Sequence, residues 1–542
     1  MPSEDAQSEP ITDGAPAQPP AAHVWDPELQ DLARRRALAA RMGGEERVAR
    51  QHSTGRLTVR ERVEALADPG SWREIGAAAG KAVYGADGQL LDLQPANLLT
   101  GRARVAGQEV VVSADDFTVR GGAADAALHD KQVLAERMAG QTRIPLVRLL
   151  DGTGGGGSVA TLIEHGRTYV PWNPGWDEVV ANLSRVPVVA LALGPVAGLG
   201  AARLVTSHVA IMVRELSQVF VAGPAVVEAG MGQTVSKEEL GGWRLVARAG
   251  TVDIVVDTEQ EAVEATRRVL DLLPSSAWQL PPVCACDDPD DRREEALRSI
   301  VPRERRRPYD IRALMAAVLD AGSIVELGRL HAPSTVTALA RLAGHPVVVL
   351  ASDPRVYGGG LTAAGSDKMT RALDLAETFH LPVLHLVDQP GFVLGTAAEA
   401  AGTIRHGARA LAAVYQSSVP WASVLVRRVF GVAGAGHRPH SRYTYRIAWP
   451  SGDWGSLPVE GGLEVAFKRR LAEAGEEAAR MKNELAAQLE SVRSPFRTAE
   501  AFLVEDIVDP ADTRPLLCDW VRSAYETLRT QPLGAREPGY RP

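Results

Sequence analysis

The sequence predicts an α/β fold of two tandem domains related by internal duplication. Two stretches carry this prediction: "RVAGQEVVVSADDFTVRGG" at 104–122 and "RLAGHPVVVLASDPRVYGG" at 341–359, which differ in number by 237 (341 − 104). A chain of 542 residues is long enough for two domains of ordinary size. Each stretch reads as a strand, a turn and a glycine-rich loop, so the same structural unit occurs twice.

The same offset continues through the next helix and strand. "ALHDKQVLAERMAGQTRIPLVRLLDGTG" (127–154) matches "AGSDKMTRALDLAETFHLPVLHLVDQPG" (364–391), with Asp151 opposite Asp388. Each segment predicts a helix that begins near its lysine, followed by an apolar strand that ends at the aspartate.

A third pair of segments completes the repeat. "VPVVALALGPVAGLGAA" (186–202) and "VPWASVLVRRVFGVAGA" (419–435) are displaced by 233 (419 − 186), as a four-residue loop deletion (237 − 233) would produce. Each half therefore repeats strand, helix, strand, helix, strand and glycine turn. This order predicts parallel strands with right-handed crossovers, and loops gathered at the carboxyl ends of the strands.

Changes in composition predict the domain boundaries. The segment before residue 26 is acidic and rich in Pro and Ala, and the charged run around residue 300 is typical of a solvated connector with a short helix. Residues 463–492 mix leucines with charges and predict an amphipathic helix or helix pair for packing or subunit contact. The predicted divisions are a disordered tail (1–25), a first domain (26–285), a linker (286–310), a second domain (311–530) and a C-terminal tail (531–542).

Charge and composition disfavour several classes of protein. With 59 Lys and Arg against 67 Asp and Glu, the net charge of −8 disfavours nucleic acid as the main partner, because phosphate binding needs a basic surface. The N-terminus lacks the pattern of a signal peptide, and the longest uncharged stretch (186–202) contains two prolines, so no membrane span is expected. Cys284, Cys286 and Cys518 form no disulfide framework and no zinc-binding spacing, so we expect a cytoplasmic protein without a metal site.

The paired glycine turns are the strongest candidates for a functional site. They are "GPVAGLGAA" (194–202) and "RRVFGVAGAGH" (427–437), each after a buried strand. Such a turn leaves backbone N–H groups unpaired near the positive end of a helix, where they can bind an oxyanion. Tight packing of strand on helix would explain a single turn, but two turns at matching places favour a function.

The usual catalytic motifs are missing from the sequence. "DGTGGGGS" (151–158) lacks the spacing of a phosphate loop, and neither G-x-S-x-G nor H-E-x-x-H occurs. His437 and His440 have no acidic partners in the sequence and are expected at the surface. A reaction that depends on backbone donors, with the base brought by a cofactor, fits this pattern.

These residues resemble the carboxyltransferase (β) subunit of biotin-dependent acyl-CoA carboxylases, of the propionyl-CoA and methylcrotonyl-CoA carboxylase type. The resemblance covers about residues 28–530. Its carriers are "GRLTVRERVEALADPGSWREIG" (55–76), "DDFTVRGG" (115–122), "GQTVSKEELGG" (232–242), "VDQPGFVLGTAAEAAGTIRHGARAL" (387–411), "AWP" (448–450) and "VEDIVDPADTR" (504–514). It implies two crotonase-like domains in homodimer units of a hexamer. The first domain of one subunit would hold the acyl-CoA, and the second domain of a partner subunit would hold carboxybiotin.

The resemblance also implies the roles of particular residues. Backbone oxyanion donors fall at Gly198 and Leu199 in the first domain, and at Val432 and Ala433 in the second. One pair would stabilise the biotin anion that remains after CO2 release, and the other the thioester enolate, with biotin as the base. Further ligand contacts fall at Gly154, Gly155, Gly156, Gly157, Gly200, Gly431, Gly434 and Ala435.

The sequence departs from the family pattern around this site. Leu199 and Val432 replace a second glycine, "GTGGGGS" replaces S-G-G-A-R, and Val246 stands where a histidine is often found. Gly434 and Ala435 stand where the family usually has Tyr and a small-to-acidic residue. We therefore expect a remodelled acyl pocket and an unusual acyl-CoA.

Partners and alternatives follow from what the sequence lacks. The chain has no biotin carboxylase domain, and Lys482 in "ARMKNE" does not match the A-M-K-M biotinyl acceptor, so biotin is expected on a partner α subunit that combines biotin carboxylase and carrier. A biotin-dependent decarboxylase or transcarboxylase and a non-catalytic structural β paralogue remain open. A biotin-independent crotonase-type enzyme is disfavoured by the retained "PGFVLG…IRHGA" motif. The acyl group and the direction of the reaction also remain open.

Overall fold

The computed structural model describes residues 23–123, 128–152, 162–163, 166–168, 170–536 and 539–542. Its strands, in chain order, are β1 Arg73–Ile75, β2 Gly80–Tyr84, β3 Leu90–Pro95, β4 Leu98–Val105, β5 Gln108–Asp115, β6 Leu146–Gly152, β7 Val188–Ala197, β8 Val209–Val213, β9 Gln218–Phe220, β10 Ile254–Val256, β11 Val325–Leu327, β12 Thr335–Leu342, β13 His345–Ser352, β14 Val383–Gln389, β15 Trp421–Phe430, β16 Tyr445–Ala448 and β17 Asp453–Gly455.

The helices of the described residues surround these strands. They are α1 Asp26–Ala40, α2 Glu45–Ser53, α3 Val59–Leu66, α4 His129–Thr142, α5 Trp176–Asn182, α6 Leu199–Val205, α7 Pro224–Met231, α8 Lys237–Gly241, α9 Trp243–Ala249, α10 Glu259–Leu272, α11 Leu297–Ile300, α12 Ile311–Val318, α13 Ala363–Phe379, α14 Thr396–Ala400, α15 Thr403–Gln416, α16 Gly431–Ala435, α17 Val459–Ala466, α18 Lys468–Glu473, α19 Ala478–Val492, α20 Pro495–Glu500 and α21 Thr513–Arg529.

Each half of the chain is built on one mixed sheet. The first sheet has eight strands in the order β1-β4-β5-β6-β7-β8-β10, with β9 paired beside β7. The second has seven strands in the order β11-β12-β13-β14-β15-β16, with β17 paired beside β15. Both begin with antiparallel pairs and continue in parallel from the third strand of the order. The predicted α/β class and the parallel order of the strands are confirmed.

The duplication extends to individual residues. β12 begins 237 positions after β4 (335 − 98), β14 begins 237 after β6 (383 − 146), and β15 begins 233 after β7 (421 − 188). The residues that directly follow α4 and α13, Arg143 and His380, both adopt left-handed conformations, with φ of 58° and 56°. Such angles are uncommon for residues other than glycine, so their recurrence supports a repeat of the backbone itself.

The central strands are apolar because both faces of each sheet are covered. Every residue of β6, β7 and β14 is buried, as is typical of parallel strands enclosed by helices. The two halves also share one core, since a single buried cluster contains Val189 and Leu270 of the first half and Leu373 and Trp421 of the second.

The charged connector and the late helices differ in detail from the sequence predictions. The expected short helix is α11. Arg298 within it pairs with Asp509 of the second half, and Arg305 after it pairs with Glu490. These ion pairs connect the run to the second half of the chain. Residues 459–492 form three helices rather than one or two. The predicted domain boundaries stay a prediction. Among the described helices, none has the length and apolar character needed to cross a membrane.

Tyr540, close to the end of the sequence, contacts both halves. It is 4% exposed and packs on His208 of the first half at a ring distance of 4.8 Å. Its hydroxyl oxygen accepts hydrogen bonds from Nε and Nη2 of Arg371 in the second half, at 3.0 and 2.7 Å. Arg371 pairs in turn with Asp253 at 3.2 Å.

We expect Tyr540→Ala to lower the free energy of unfolding by about 3–5 kcal/mol, because it empties a buried aromatic site. Tyr540→Phe should cost about 1–2 kcal/mol, since Arg371 loses only its acceptor. The control Tyr443→Ala, at a position that is 84% exposed, should change stability by less than about 0.5 kcal/mol. Urea unfolding measures the free energy of unfolding of all three variants. Equal losses in Tyr540→Ala and Tyr443→Ala would contradict the inference that Tyr540 stabilises the contact between the two halves.

Candidate functional site

Each glycine turn begins with a glycine in a left-handed conformation. Gly198 follows β7 and Gly431 follows β15, with φ of 58° and 61°. Side chains disfavour such angles, so glycine is required where the strand turns sharply into the helix. Gly198 and Gly431 are also matched in the repeat, with a difference of 233 (431 − 198). The two turns are therefore equivalent in backbone and in position.

The first turn leaves two consecutive N–H groups available. The N–H of Gly198 donates to the carbonyl oxygen of Val221 at 3.1 Å, just after the short strand β9. This N–H is therefore already paired, which disfavours Gly198 as the oxyanion donor expected from the sequence. The N–H groups of Leu199 and Gly200 open α6 and have no acceptor among the described residues.

The second turn presents the equivalent pair. Val432 and Ala433 follow Gly431 as Leu199 and Gly200 follow Gly198, and their N–H groups also find no acceptor in the described part of the chain. Val432 is 57% exposed, so a ligand can reach the turn. These N–H groups suit an acceptor such as the ureido oxygen of biotin or the oxygen of a thioester.

Other predicted contacts fall in different surroundings. Gly434 is buried, and a Cβ placed on it would lie 2.8 Å from the carbonyl carbon of Val429. Gly434 therefore packs α16 on β15, and its contact with the acyl group stays a prediction. Ala435 is exposed, whereas Val246 is buried in the apolar core behind β7. The glycines of the third loop, Gly154, Gly155, Gly156 and Gly157, lie outside the described residues.

A buried aspartate lies one residue before the end of the strand beside each turn. Asp151 accepts a hydrogen bond from Nη1 of Arg62 at 2.8 Å, and Asp388 accepts one from Nη2 of Arg427 at 2.9 Å. Burial alone would raise the pKa of Asp388, but the hydrogen bonds and charges of Arg428 and Arg427 outweigh it and hold the pKa below its ordinary value. The repeat of the aspartates was visible in the sequence, but their arginine partners come from unrelated elements.

The first half carries a carboxyl group that the second half lacks. Asp115 ends β5, and its counterpart 237 positions later is Ser352. One carboxylate oxygen of Asp115 accepts the N–H of Asp151 at 3.3 Å. Burial raises the pKa of Asp115 to about 6, against the opposing effects of this hydrogen bond and of the Arg203 charge.

Two buried histidines lie beneath the second turn. His437 is 5% exposed rather than at the surface, so that expectation is wrong; His440 is exposed. The Nδ1–H of His437 donates to the carbonyl oxygen of Gly434 at 2.8 Å, and the Nδ1–H of His385 donates to that of His437 at 3.2 Å. Burial lowers the pKa of His385 to about 4 and that of His437 to about 3, so both rings are neutral.

Comparison with known proteins gives the family. Residues 50–537 match the family model for the carboxyl transferase domain, and the chain belongs to this family. The propionyl-CoA carboxylase carboxyltransferase subunit of Haloferax mediterranei is 30% identical over 516 residues, which cover 94% of this chain and 98% of the relative. The methylmalonyl-CoA decarboxylase subunit alpha of Veillonella parvula is 29% identical over 479 residues, which cover 87% and 91%.

A solved structure agrees with the fold. The transcarboxylase 12S crystal structure, described as a hexamer assembly with hydrolysed methylmalonyl-coenzyme A bound, superposes with a TM-score of 0.83 at 28% identity. The superposition covers 96% of this chain and 99% of the transcarboxylase 12S chain. The predictions of two crotonase-like halves and of a biotin-dependent acyl-CoA carboxyltransferase subunit, with biotin and a CoA ester as ligands, are confirmed.

We expect acid to destabilise the protein partly through His385. Its pKa is about 4 in the folded chain and about 6.5 in the unfolded chain, so between these values only the unfolded state binds the proton. Stability contributed by the neutral ring is therefore lost as the pH falls through this window. Between pH 7 and pH 5, the free energy of unfolding should fall in both proteins, but by about 1–2 kcal/mol less in His385→Asn than in the wild type.

Urea unfolding at both pH values makes this comparison. His440→Asn, at an exposed position, is the control and should keep the wild-type pH dependence. A wild-type pH dependence in His385→Asn as well would show that His385 is not held neutral by the fold.

Proposed function

We propose that the two glycine turns are the two oxyanion sites of one carboxyl transfer. The N–H groups of Leu199 and Gly200 bind the thioester oxygen of the acyl-CoA, and those of Val432 and Ala433 bind the ureido oxygen of biotin. The observation that carries this proposal is the equivalence of the turns: each has a left-handed glycine followed by two N–H groups without an acceptor in the described structure. The assignment moves the first pair one residue beyond that expected from the sequence.

The chemistry at each turn is electrostatic stabilisation. Biotin, when bound, supplies the carboxyl group and the base for the α-proton of the acyl group. The role of the chain is to hold donors where negative charge develops on an oxygen, and each such donor contributes about 3 kcal/mol to catalysis. Leu199 and Val432 supply main-chain N–H groups, so replacing glycine with either residue keeps the donor and narrows the space around it.

Assembly would bring the two sites together. We infer that the acyl-CoA half of one subunit faces the biotin half of another within homodimer units of a hexamer, as the hexamer assembly of the transcarboxylase 12S structure suggests. A biotinylated α subunit would deliver the cofactor. The direction we favour is carboxylation of an acyl-CoA, because the H. mediterranei relative is a propionyl-CoA carboxylase subunit. Cytoplasmic location stays a prediction.

A second candidate is the reverse reaction, a biotin-dependent decarboxylation. The V. parvula relative, a methylmalonyl-CoA decarboxylase subunit, favours it at nearly the same identity. Both directions use the same two turns, so the donors described above serve either one. The partner chain then decides the direction.

We expect the purified protein to decarboxylate malonyl-CoA or methylmalonyl-CoA in the presence of free biotin. Mass spectrometry of the CoA esters measures the loss of CO2. Gly198→Ala and Gly431→Ala should each lower the rate by about a hundredfold or more, because a Cβ at these φ values turns the following N–H groups away from the ligand. Gly230→Ala is the control, since Gly230 lies in α7 with open space around its Cα and no positive φ.

Three outcomes separate the alternatives. Biotin-dependent turnover that is lost in both turn variants supports the proposal. CoA-ester binding without turnover, even with a biotinylated α subunit added, would indicate a structural β paralogue. Turnover that survives Gly198→Ala and Gly431→Ala would place the reaction elsewhere in the chain.

A further inference from the structure

Side chains at matched positions hold the far end of each turn helix. Arg148 on β6 and His385 on β14 correspond in the repeat (385 − 148 = 237) and are 1% and 8% exposed. Each donates to main-chain carbonyl oxygens at or just after the end of the short helix that begins at the glycine turn. The position is the same in both halves, but the residue and its chemistry differ.

In the first half the anchor is ionic. Nη1 of Arg148 donates to the carbonyl oxygens of Arg203 and Thr206, at 2.8 and 2.7 Å. Nε and Nη2 of Arg148 donate to the two carboxylate oxygens of Glu136, each at 2.9 Å. The side chain of Arg203, on α6 itself, also donates to Glu136, at 2.6 Å. Both the main chain and a side chain of α6 are therefore tied to one buried cluster.

In the second half the anchor is neutral. The carbonyl oxygen of His437, two residues after α16, accepts three hydrogen bonds. Their donors are Nδ1 of His385 at 3.2 Å, Oγ of Ser423 at 2.8 Å and Nε1 of Trp421 at 3.0 Å. All four residues are buried. A carbonyl with three donors is fixed in direction, and it holds the chain that leaves the turn.

The anchors matter because the turn helices are too short to hold their own direction. α6 has seven residues and α16 has five, and isolated helices of this length are unstable. Their last carbonyls lack partners within the helix, so bonds from the sheet decide how each helix lies. The N–H groups at the other end are then aimed by the same bonds, and a shift of about 1 Å in a catalytic group costs up to about a hundredfold in rate.

We propose that Arg148 is the positioning residue of the acyl-CoA site, and that His385, Trp421 and Ser423 are those of the biotin site. None of them touches a substrate; each acts through the carbonyl oxygens that it holds. The inference rests on the proposed function of the two turns. Because the anchors differ in chemistry, the two half-sites respond separately to substitution.

The test is steady-state decarboxylation of methylmalonyl-CoA or malonyl-CoA with free biotin. Arg148→Lys keeps the charge but cannot bridge Glu136 and two carbonyls; it should lower kcat/KM for the CoA ester by about tenfold to a hundredfold and leave the KM for biotin unchanged. Ser423→Ala removes one of three donors and should raise the KM for biotin severalfold without changing that for the CoA ester.

Matched controls lie away from both turns. Arg514 is also fully buried and donates to three main-chain carbonyls, of Asp288, Pro289 and Val318, each at 3.0 Å. Thr337 is a buried hydroxyl that donates to the carbonyl oxygen of Leu327 at 3.1 Å. Arg514→Lys and Thr337→Val should lower stability by amounts similar to the two test variants and leave both KM values unchanged.

Each outcome decides the inference. The inference is supported if each test variant changes the kinetic constants of only one substrate and the control variants change neither. It is overturned if Arg148→Lys and Arg514→Lys have equal effects, or if a test variant affects both substrates equally. If Arg148→Lys does not fold, Ser423→Ala decides alone. If the wild type turns over no ester, which counts against the proposed function, amide hydrogen exchange at Ala202 and Thr206 decides, because their N–H groups donate to the carbonyl oxygens of Gly198 and Ala202 at 3.0 and 2.9 Å. Faster exchange in Arg148→Lys than in Arg514→Lys supports the anchor, and equal exchange overturns it.

Discussion

A left-handed glycine at the end of a buried strand is the constraint on which the site depends. At Gly198 and Gly431 the chain leaves the sheet with φ near 60° and enters a helix at once. That conformation frees the next two N–H groups and brings them to the carboxyl end of the sheet, where open α/β sheets bind their ligands. Three parts of each half fix the position of this turn. They are the long strand before it, the short strand beside it and the buried groups that bond to the end of the helix.

The two repeats share their backbone geometry but differ in the side chains that support it. Asp151 and Asp388 occupy one place in the repeat, yet their arginines come from α3 in one half and from β15 in the other. Gly194 explains the difference, since a Cβ there would lie 2.1 Å from Asp151, whereas its counterpart Arg427 reaches Asp388 itself. Under the proposed function, the two halves would present the same kind of backbone donors to two substrates of different shape, with different side chains supporting each turn.

The sequence was sufficient for the architecture and for the position of the two glycine turns. Apolar runs with two fixed offsets predict the strands, and the positions of Gly198 and Gly431 predict the turns. It was insufficient where tertiary contacts decide. The pairing of the Gly198 N–H depends on β9, a three-residue strand too short to detect, and the burial of Gly434 and His437 depends on how α16 meets β15. No local pattern reports contacts of this kind.

The most direct test of the central claim is a crystal structure with a non-reactive analogue of methylmalonyl-CoA bound. The account predicts that the oxygen replacing the thioester carbonyl lies within about 3.2 Å of the N–H groups of Leu199 and Gly200, a hydrogen-bonding distance. An analogue bound at Val432 and Ala433, or at neither turn, would contradict the division of the two substrates between the two halves.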